Sequence, residues 1–296
     1  MTDPFRWGER PREPHPERWS FAGSARRQPR PTKMETMQGE TVLITGASSG
    51  IGRELARCFA AGGCRLILLA RNTAALDALA AELRQSRQIE SVVLTADLSR
   101  AETPERVFQE LQGRGIAVDV LVNNAGFGAH GGFADLPLPR QLEMIQVNLT
   151  ALTHLTGLFL PGMIQRRRGG VLNVGSVAGF LPGPGMAVYY ATKAHVLSFS
   201  EALAGELDGT GLTVTVLCPG PTESNFGPVA RGNKTRRIKT PKMTAAAVAE
   251  CGYLDFRRGT LISIPGWQNR LLVLLIKMLP RRLVRTLAKS FNRTGD

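Results

Sequence analysis

Cysteine is scarce in this chain. Its 296 residues include four, Cys58, Cys64, Cys218 and Cys251, with no CxxC pair among them. That spacing excludes a disulfide scaffold and points to reduced, buried thiols. Histidine is as rare: His15, His130, His154 and His195 stand at no ligand spacing, so no metal site is expected. Long apolar runs are missing too. The leucine-rich LLVLLIKML at 271–279 falls far short of the ~20 residues a membrane-spanning helix needs. No apolar segment follows Arg26-Arg27, which excludes a twin-arginine export signal. Together these features give the expectation of a cytoplasmic protein. Acids are outnumbered, 24 against 37 lysines and arginines, for a net charge of +13. Such a balance attracts anions: a phosphorylated cofactor, a membrane surface or nucleic acid.

The material present is that of a folded domain. Hydrophobic residues make up 43% of the chain, enough for a sizeable core. Residues 1–38 differ, with six prolines among arginines and glutamates and no apolar period, and read as a disordered leader. Met34 and Met37 stand just ahead of the first strand as alternative translation starts. From Glu40 to residue 265, short apolar runs alternate with helical stretches. The runs lie at 41–45, 65–70, 91–95, 119–122, 171–174, 212–218 and 260–264. They are continuous rather than alternating, as strands buried on both faces are. The helical stretches lie at 50–62, 73–87, 104–113, about 139–163, 188–208 and 244–254. This rhythm predicts an α/β fold: one doubly wound, Rossmann-like domain on a seven-stranded parallel sheet.

Two segments break the rhythm. Residues 227–242 carry six basic residues and no acid, and the tail 266–296 mixes leucines with Lys277, Arg281, Arg282, Arg285 and Lys289. Two readings of the tail fit. It is an amphipathic helix for an anionic membrane surface, or it folds back over the protein's own groove. Neither basic cluster lies on a recognition helix, so no specific nucleic acid is expected.

Chemistry concentrates at strand ends. The first strand runs into Thr45-Gly46-Ala47-Ser48-Ser49-Gly50-Ile51-Gly52, then a helix. Glycines permit a tight turn and close approach of backbone to a pyrophosphate, which the helix N-terminus favours. An NAD site needs an acid about 20 residues on to hold the ribose 2′-hydroxyl. Here the second strand ends Leu69-Ala70-Arg71-Asn72. Arg71 can pair with a 2′-phosphate, and the Ser48 hydroxyl can assist, so NADP(H) is expected over NAD(H). The plainer reading leaves Arg71 as a surface loop residue. Tyr189 and Lys193 are one helical turn apart and share a side. A nearby ammonium favours the phenolate and lowers a tyrosine pKa from about 10. Ser176, at the end of the fifth strand, can donate to a substrate oxygen as charge develops. Tyr190 is turned away from this side by about 100°.

TGASSGIG at 45–52, Asp97-Leu98, NNAG at 123–126, Asn148, Ser176, Tyr189-x-x-x-Lys193 and Pro219-Gly220 occur in this order. The pattern over residues about 40–225 resembles the short-chain dehydrogenase/reductase family. The resemblance implies an NADP(H)-dependent oxidoreductase that interconverts a carbonyl and a secondary alcohol, with Tyr189 as acid/base. Lys193 would also hold the nicotinamide ribose, and Asn148 would position a proton-relaying water. Asp97 and Leu98 would lie near adenine, and Asn123, Ala125 and Gly126 beside its ribose. Pro219, Gly220 and Thr222 would flank the nicotinamide. Phe127, His130, Phe180, Leu181, Met186 and Phe226 are candidate substrate-side residues. Being mostly apolar, they favour a lipophilic substrate such as a fatty acyl or steroid-like compound. Residues 231–242 stand where the family carries a substrate lid. That segment is either a selector for an anionic substrate or a solvated loop. The resemblance also implies a homodimer or homotetramer formed through the helices at about 139–163 and 188–208. A non-catalytic nucleotide sensor or scaffold on the same fold is the rival reading.

Overall fold

The structure is a computed structural model that describes residues 37–223 and 242–292. The expected leader falls outside these residues except at its end. There Met37 is buried against the core and its carbonyl accepts the Cys64 thiol at 3.4 Å, so the folded unit begins before Gly39. Phe226 and most of the basic 227–242 segment also lie outside the described residues.

Seven parallel strands form the sheet: β1 Thr41–Thr45, β2 Arg65–Ala70, β3 Ser91–Thr95, β4 Val120–Asn123, β5 Gly170–Val174 and β6 Thr213–Leu217, with β9 Ile262–Ser263 at the edge. Their order is β3-β2-β1-β4-β5-β6-β9. Between β6 and β9, β7 Thr222–Glu223 pairs in parallel with β8 Met243–Thr244 as a separate small ribbon. The strands are apolar throughout because each faces helices on both sides. Val42, Ile44, Leu66 and Leu68 pack against α1 Gly50–Ala61, α2 Thr73–Arg87 and α7 Ala245–Arg257 through Leu55, Phe59, Leu76, Val248 and Phe256. On the opposite face, Leu43, Ile67, Leu69 and Leu121 meet α3 Thr103–Gly113 and α5 Ala151–Arg166 through Val107, Leu111, Leu155, Phe159 and Met163. Neighbouring residues of one strand thus serve opposite layers. Truncating fully buried Phe59 to alanine would cost about 3–5 kcal/mol.

Local signals start and stop these helices. Asn72 caps α2 by accepting the Ala75 N–H at 3.0 Å, and Thr244 caps α7 by accepting that of Ala247 at 3.2 Å. Gly62 ends α1. The single helix expected at about 139–163 is α4 Leu138–Ile145, a π-helical turn Gln146–Thr150, and α5. Such turns insert one residue into the ladder and often mark functional positions; this one contains Asn148. By length and composition alone, Leu138–Arg166 could cross a membrane. Its Ala151, Leu155, Phe159 and Met163 are instead buried against the sheet.

After β9 the chain forms α8 Trp267–Met278 and α9 Arg281–Asn292, joined at Leu279-Pro280. It folds back over the protein. Val273, Val284, Ala288 and Asn292 are buried, and Asn292 bonds to a loop far away in sequence.

Candidate active site

β1 and β4 are neighbours, but their crossovers leave in opposite directions. Their carboxyl ends therefore open the crevice where doubly wound sheets hold ligands. The glycine turn follows β1. Gly46 has φ +67° and Gly50 φ +55°, conformations that glycine adopts without strain. A Cβ on Gly52 would lie 2.4 Å from the Gly46 carbonyl oxygen, so the turn has room for hydrogen alone. Ser48 is half-buried and Ser49 exposed in the turn, with Ile51 half-buried just inside α1. The Ser49 side chain makes no capping bond, and this leaves the first N–H groups of α1 to a ligand. Backbone, space and dipole all fit a pyrophosphate here.

Two residues that sequence reasoning did not single out hold this turn in place. The Thr45 hydroxyl donates to the Val122 carbonyl at 3.2 Å and accepts the N–H groups of Asn124 and Ala125 at 2.9 and 3.0 Å. The Asn124 amide donates to the carbonyls of Thr45 at 2.9 Å and Gly46 at 3.2 Å. Asn123, expected beside the adenine ribose, faces the other layer. It is buried and donates to Thr156 Oγ1 at 3.1 Å and Asn173 Oδ1 at 2.9 Å. Its side chain knits β4 to β5, and the residue lines a small hollow with Thr45, Leu98 and Ala125. Leu98 likewise is a buried core residue.

Arg71, at the end of β2, is exposed, with Nη1 3.9 Å from Glu143 Oε1 of α4. An exposed pair at this distance is weak, and the guanidinium is free to meet an arriving phosphate. Asp97 accepts the Ser99 N–H at 3.0 Å. Burial pushes its carboxyl up, but the Ser99 hydrogen bonds and the charges of Arg71 and Arg100 outweigh this and hold it below the ordinary carboxylate value.

The reactive groups converge above β5 and α6 Ala187–Glu206. Ser176 follows β5, accepts the Ala178 N–H at 3.1 Å, donates to the Pro219 carbonyl at 3.4 Å and stands near enough to the Tyr189 phenol to favour its ionised form. Lys193 is buried and donates to the Val174 carbonyl at 2.7 Å. A Cβ on Gly126 would lie 3.0 Å from Asn148 Oδ1 and 3.8 Å from Lys193 Nζ, which puts all three at one point. The Asn148 side chain is occupied: it accepts from Phe127 N at 3.0 Å and donates to Phe127 O at 2.9 Å and Thr192 Oγ1 at 3.2 Å. It fastens the loop after β4 to the π turn. Burial sets the charges. It pushes the Tyr189 phenol up to about 12 against the lowering effect of Ser176, and it pulls Lys193 down to about 8. The expected lowering of Tyr189 by Lys193 is absent from this structure: burial dominates, and the one lowering influence comes from Ser176. Cys218, also buried here, is pushed up to about 12 and stays a thiol.

Around this centre, Met186, Ala129, Met144 and Ala178 pack with Tyr189, and Phe127 joins them under the Arg140 guanidinium, 3.9 Å from its ring centroid. Phe180 packs instead toward Val196 and Val216, beneath Lys277 Nζ at 5.4 Å. Leu181 is half-buried beside it. Tyr190 is turned from the centre, as its helical angle requires, and meets the tail. Its hydroxyl lies 3.4 Å from Asn292 Oδ1. The Asn292 amide also donates to Pro184 O at 3.0 Å, and the Asn292 carbonyl lies 2.7 Å from His130 Nε2. The end of the tail thus folds back against the loops that carry His130 and Pro184. On the far side of the centre, the Pro219 carbonyl accepts Val177 N at 3.0 Å, and Thr222 Oγ1 donates to Gly220 O at 3.0 Å. Asn269 of α8 fills the space where a Gly220 side chain would stand.

Known proteins resemble this chain in sequence and fold. Residues 40–234 match the family model for short chain dehydrogenase. A short chain dehydrogenase of Pseudocercospora fijiensis is 35% identical over 193 residues, 64% of this chain and 62% of that protein. A very-long-chain 3-oxoacyl-CoA reductase of Laccaria bicolor is 37% identical over 186 residues, 62% of this chain and 54% of that protein. The chain therefore matches less than two thirds of the length of these two curated relatives. The solved structure of a short-chain dehydrogenase from Sphingobium yanoikuyae in complex with NADPH superposes with a TM-score of 0.71 at 35% identity, covering 82% of this chain and 97% of that one.

Proposed function

The chain belongs to the short chain dehydrogenase family, and from that premise we propose that it is an NADP(H)-dependent oxidoreductase interconverting a carbonyl and a secondary alcohol on a lipophilic substrate. One observation carries the reading. The buried Tyr189 phenol stands beside Ser176, with Lys193 buried one turn along the same helix and bonded to the last residue of β5, at the carboxyl edge of the sheet.

The turn of Gly46, Ser48, Ser49, Gly50, Ile51 and Gly52 would hold the dinucleotide phosphates, and Arg71 its 2′-phosphate. Asp97, Ala125 and Gly126 flank the adenosine side. Pro219, Gly220, Thr222 and Lys193 flank the nicotinamide side. Bound there, the cofactor supplies or receives the hydride. The protein handles the proton. Ser176 Oγ, anchored by Ala178 N, turns its hydrogen toward the substrate oxygen and stabilises the charge that develops on it. Tyr189 stays protonated across the neutral range, since burial pushes it up to about 12. That makes it a donor ready for reduction. Lys193, brought down to about 8, exchanges its proton near neutral pH. Asn148 keeps the loop after β4 against this point. The solved relative bound to NADPH supports the cofactor choice. Met186, Phe127 and Ala129 support an apolar substrate.

Homo-oligomerisation through α4, α5 and α6 is part of the same reading. Leu138, Leu142 and Ile145 recur one turn apart on α4 and are exposed, as are the small residues Gly157, Ala191 and Ala194 of α5 and α6.

A screen of NADPH oxidation across ketosteroids, 3-oxoacyl thioesters, retinoids, sugars and quinones tests the function. Turnover of the apolar ketones is expected. Turnover confined to sugars would overturn the lipophilic substrate, and NADPH binding without any turnover would favour a nucleotide sensor.

A further inference from the structure

The face of α8 turned away from the protein is apolar. At 100° per residue, Trp267, Leu271, Leu274, Leu275 and Met278 fall within one stripe roughly 100° wide, and all five are exposed. Val273, the buried residue of α8, lies on the opposite side. Globular surfaces scatter apolar residues singly; a continuous stripe marks something that covers it. The next helix continues the pattern. α9 buries Val284, Ala288 and Asn292 and leaves Leu283 and Leu287 exposed beside them.

Charge identifies what covers the stripe. Between Trp267 and Asn292 the chain has six cations, Arg270, Lys277, Arg281, Arg282, Arg285 and Lys289, and no acid. All six are exposed. A second copy meeting this face through a two-fold axis would set six positive charges against six. Apolar side chains rimmed by cations match the acyl boundary and the anionic headgroups of a lipid bilayer.

We propose that the outer face of α8 and α9 docks on an anionic lipid bilayer and so seats the substrate entrance at the membrane surface. The second half rests on the functional reading given above. The end of α9 lies on the candidate substrate side of the centre: Asn292 is bonded beside His130, Pro184 and Tyr190. A ketone dissolved in the lipid then reaches Tyr189 without crossing bulk water.

Sedimentation of the full-length protein with vesicles tests this. Phosphatidylcholine vesicles containing phosphatidylserine should pellet roughly tenfold more protein than phosphatidylcholine alone at low ionic strength, and added salt should reverse the excess. The triple variant Leu271→Ser/Leu274→Ser/Leu275→Ser should lose roughly tenfold in pelleting, since each loss removes lipid-facing apolar area. Because these side chains face outward, it should keep NADPH oxidation with a small water-soluble ketone. The variant Arg282→Gln/Arg285→Gln/Lys289→Gln should lose the response to phosphatidylserine. Failure of the parent protein to pellet with anionic vesicles overturns the proposal. So does a triple variant that pellets like the parent, or one whose mass by light scattering halves, which would make a second copy the occupant. Pelleting is read without turnover. A protein that binds vesicles yet reduces no ketone retains the docking surface and removes only the enzymatic reading.

Discussion

Lys193 donates to the carbonyl of Val174, 2.7 Å away, on the last residue of β5 and two before Ser176. The bond ties the ammonium to the strand that presents the serine. The helix carrying Tyr189 is fixed against that strand by a charge-assisted contact. Serine, tyrosine and lysine are thereby held as one unit before any ligand arrives.

Removal of the phenol tests its part directly. Tyr189→Phe should lower kcat by about 10²–10⁴-fold, the range for loss of a positioned proton donor. Dinucleotide affinity, followed by fluorescence titration, should change little. A variant with parental kcat would place the acid elsewhere.

The depressed Lys193 has two pH consequences. Reduction should be fastest below about 8 and decline as pH rises through that value, where the buried amine loses its charge. Stability runs the other way. With its folded value below its unfolded value of 10.5, the group binds a proton more readily in the unfolded chain, so stability rises from about 8 toward 10.5. Lys193→Met should remove that rise. Thermal melting of both proteins across this interval reads it. Tyr189 acts oppositely above 10, where the unfolded chain ionises first and stability falls toward about 12.

Arg71→Asp should weaken NADPH binding by roughly 10–100-fold, the worth of a lost hydrogen bond to a charged group. NADH binding should gain from the new carboxylate. An Arg71→Asp protein with parental NADPH affinity would move the 2′-phosphate elsewhere.

Asn124 braces the glycine turn through two carbonyls. Asn124→Ala strands both acceptors and should reduce stability by about 1–3 kcal/mol, together with dinucleotide affinity. Denaturant unfolding and titration measure the two effects. Gly52→Ala should be more damaging to binding, because the added methyl meets the Gly46 carbonyl at 2.4 Å.

At the tail, Asn292→Ala removes the side-chain bonds to Pro184 and Tyr190. KM for bulky apolar ketones should change several-fold while that for a small ketone holds. Equal effects on both would show that Asn292 only supports the fold.

The strands were legible because burial on both faces writes an uninterrupted apolar run, and the glycine turn because its geometry admits few residues. Asn123 and Asn124 were harder. Asn124 stands just past the end of β4 and braces the glycine turn, while Asn123 pairs with Asn173 across β4 and β5. That pairing is tertiary and leaves no local mark. The tail was legible as amphipathic. Its return to the body depends on a backbone carbonyl at Asn292 and on His130, 162 positions apart, a relationship no sequence period records. Arg71 was visible, but its neighbour Glu143 comes from another helix.

The β7–β8 ribbon sets Thr222 beside Met243 in register. Two positions far apart along the chain are thereby pinned side by side next to Gly220, whose carbonyl accepts the Thr222 hydroxyl. The proposed nicotinamide side is thus clamped by two short strands that belong to neither layer of the sheet, and a change in either strand would be felt at the other.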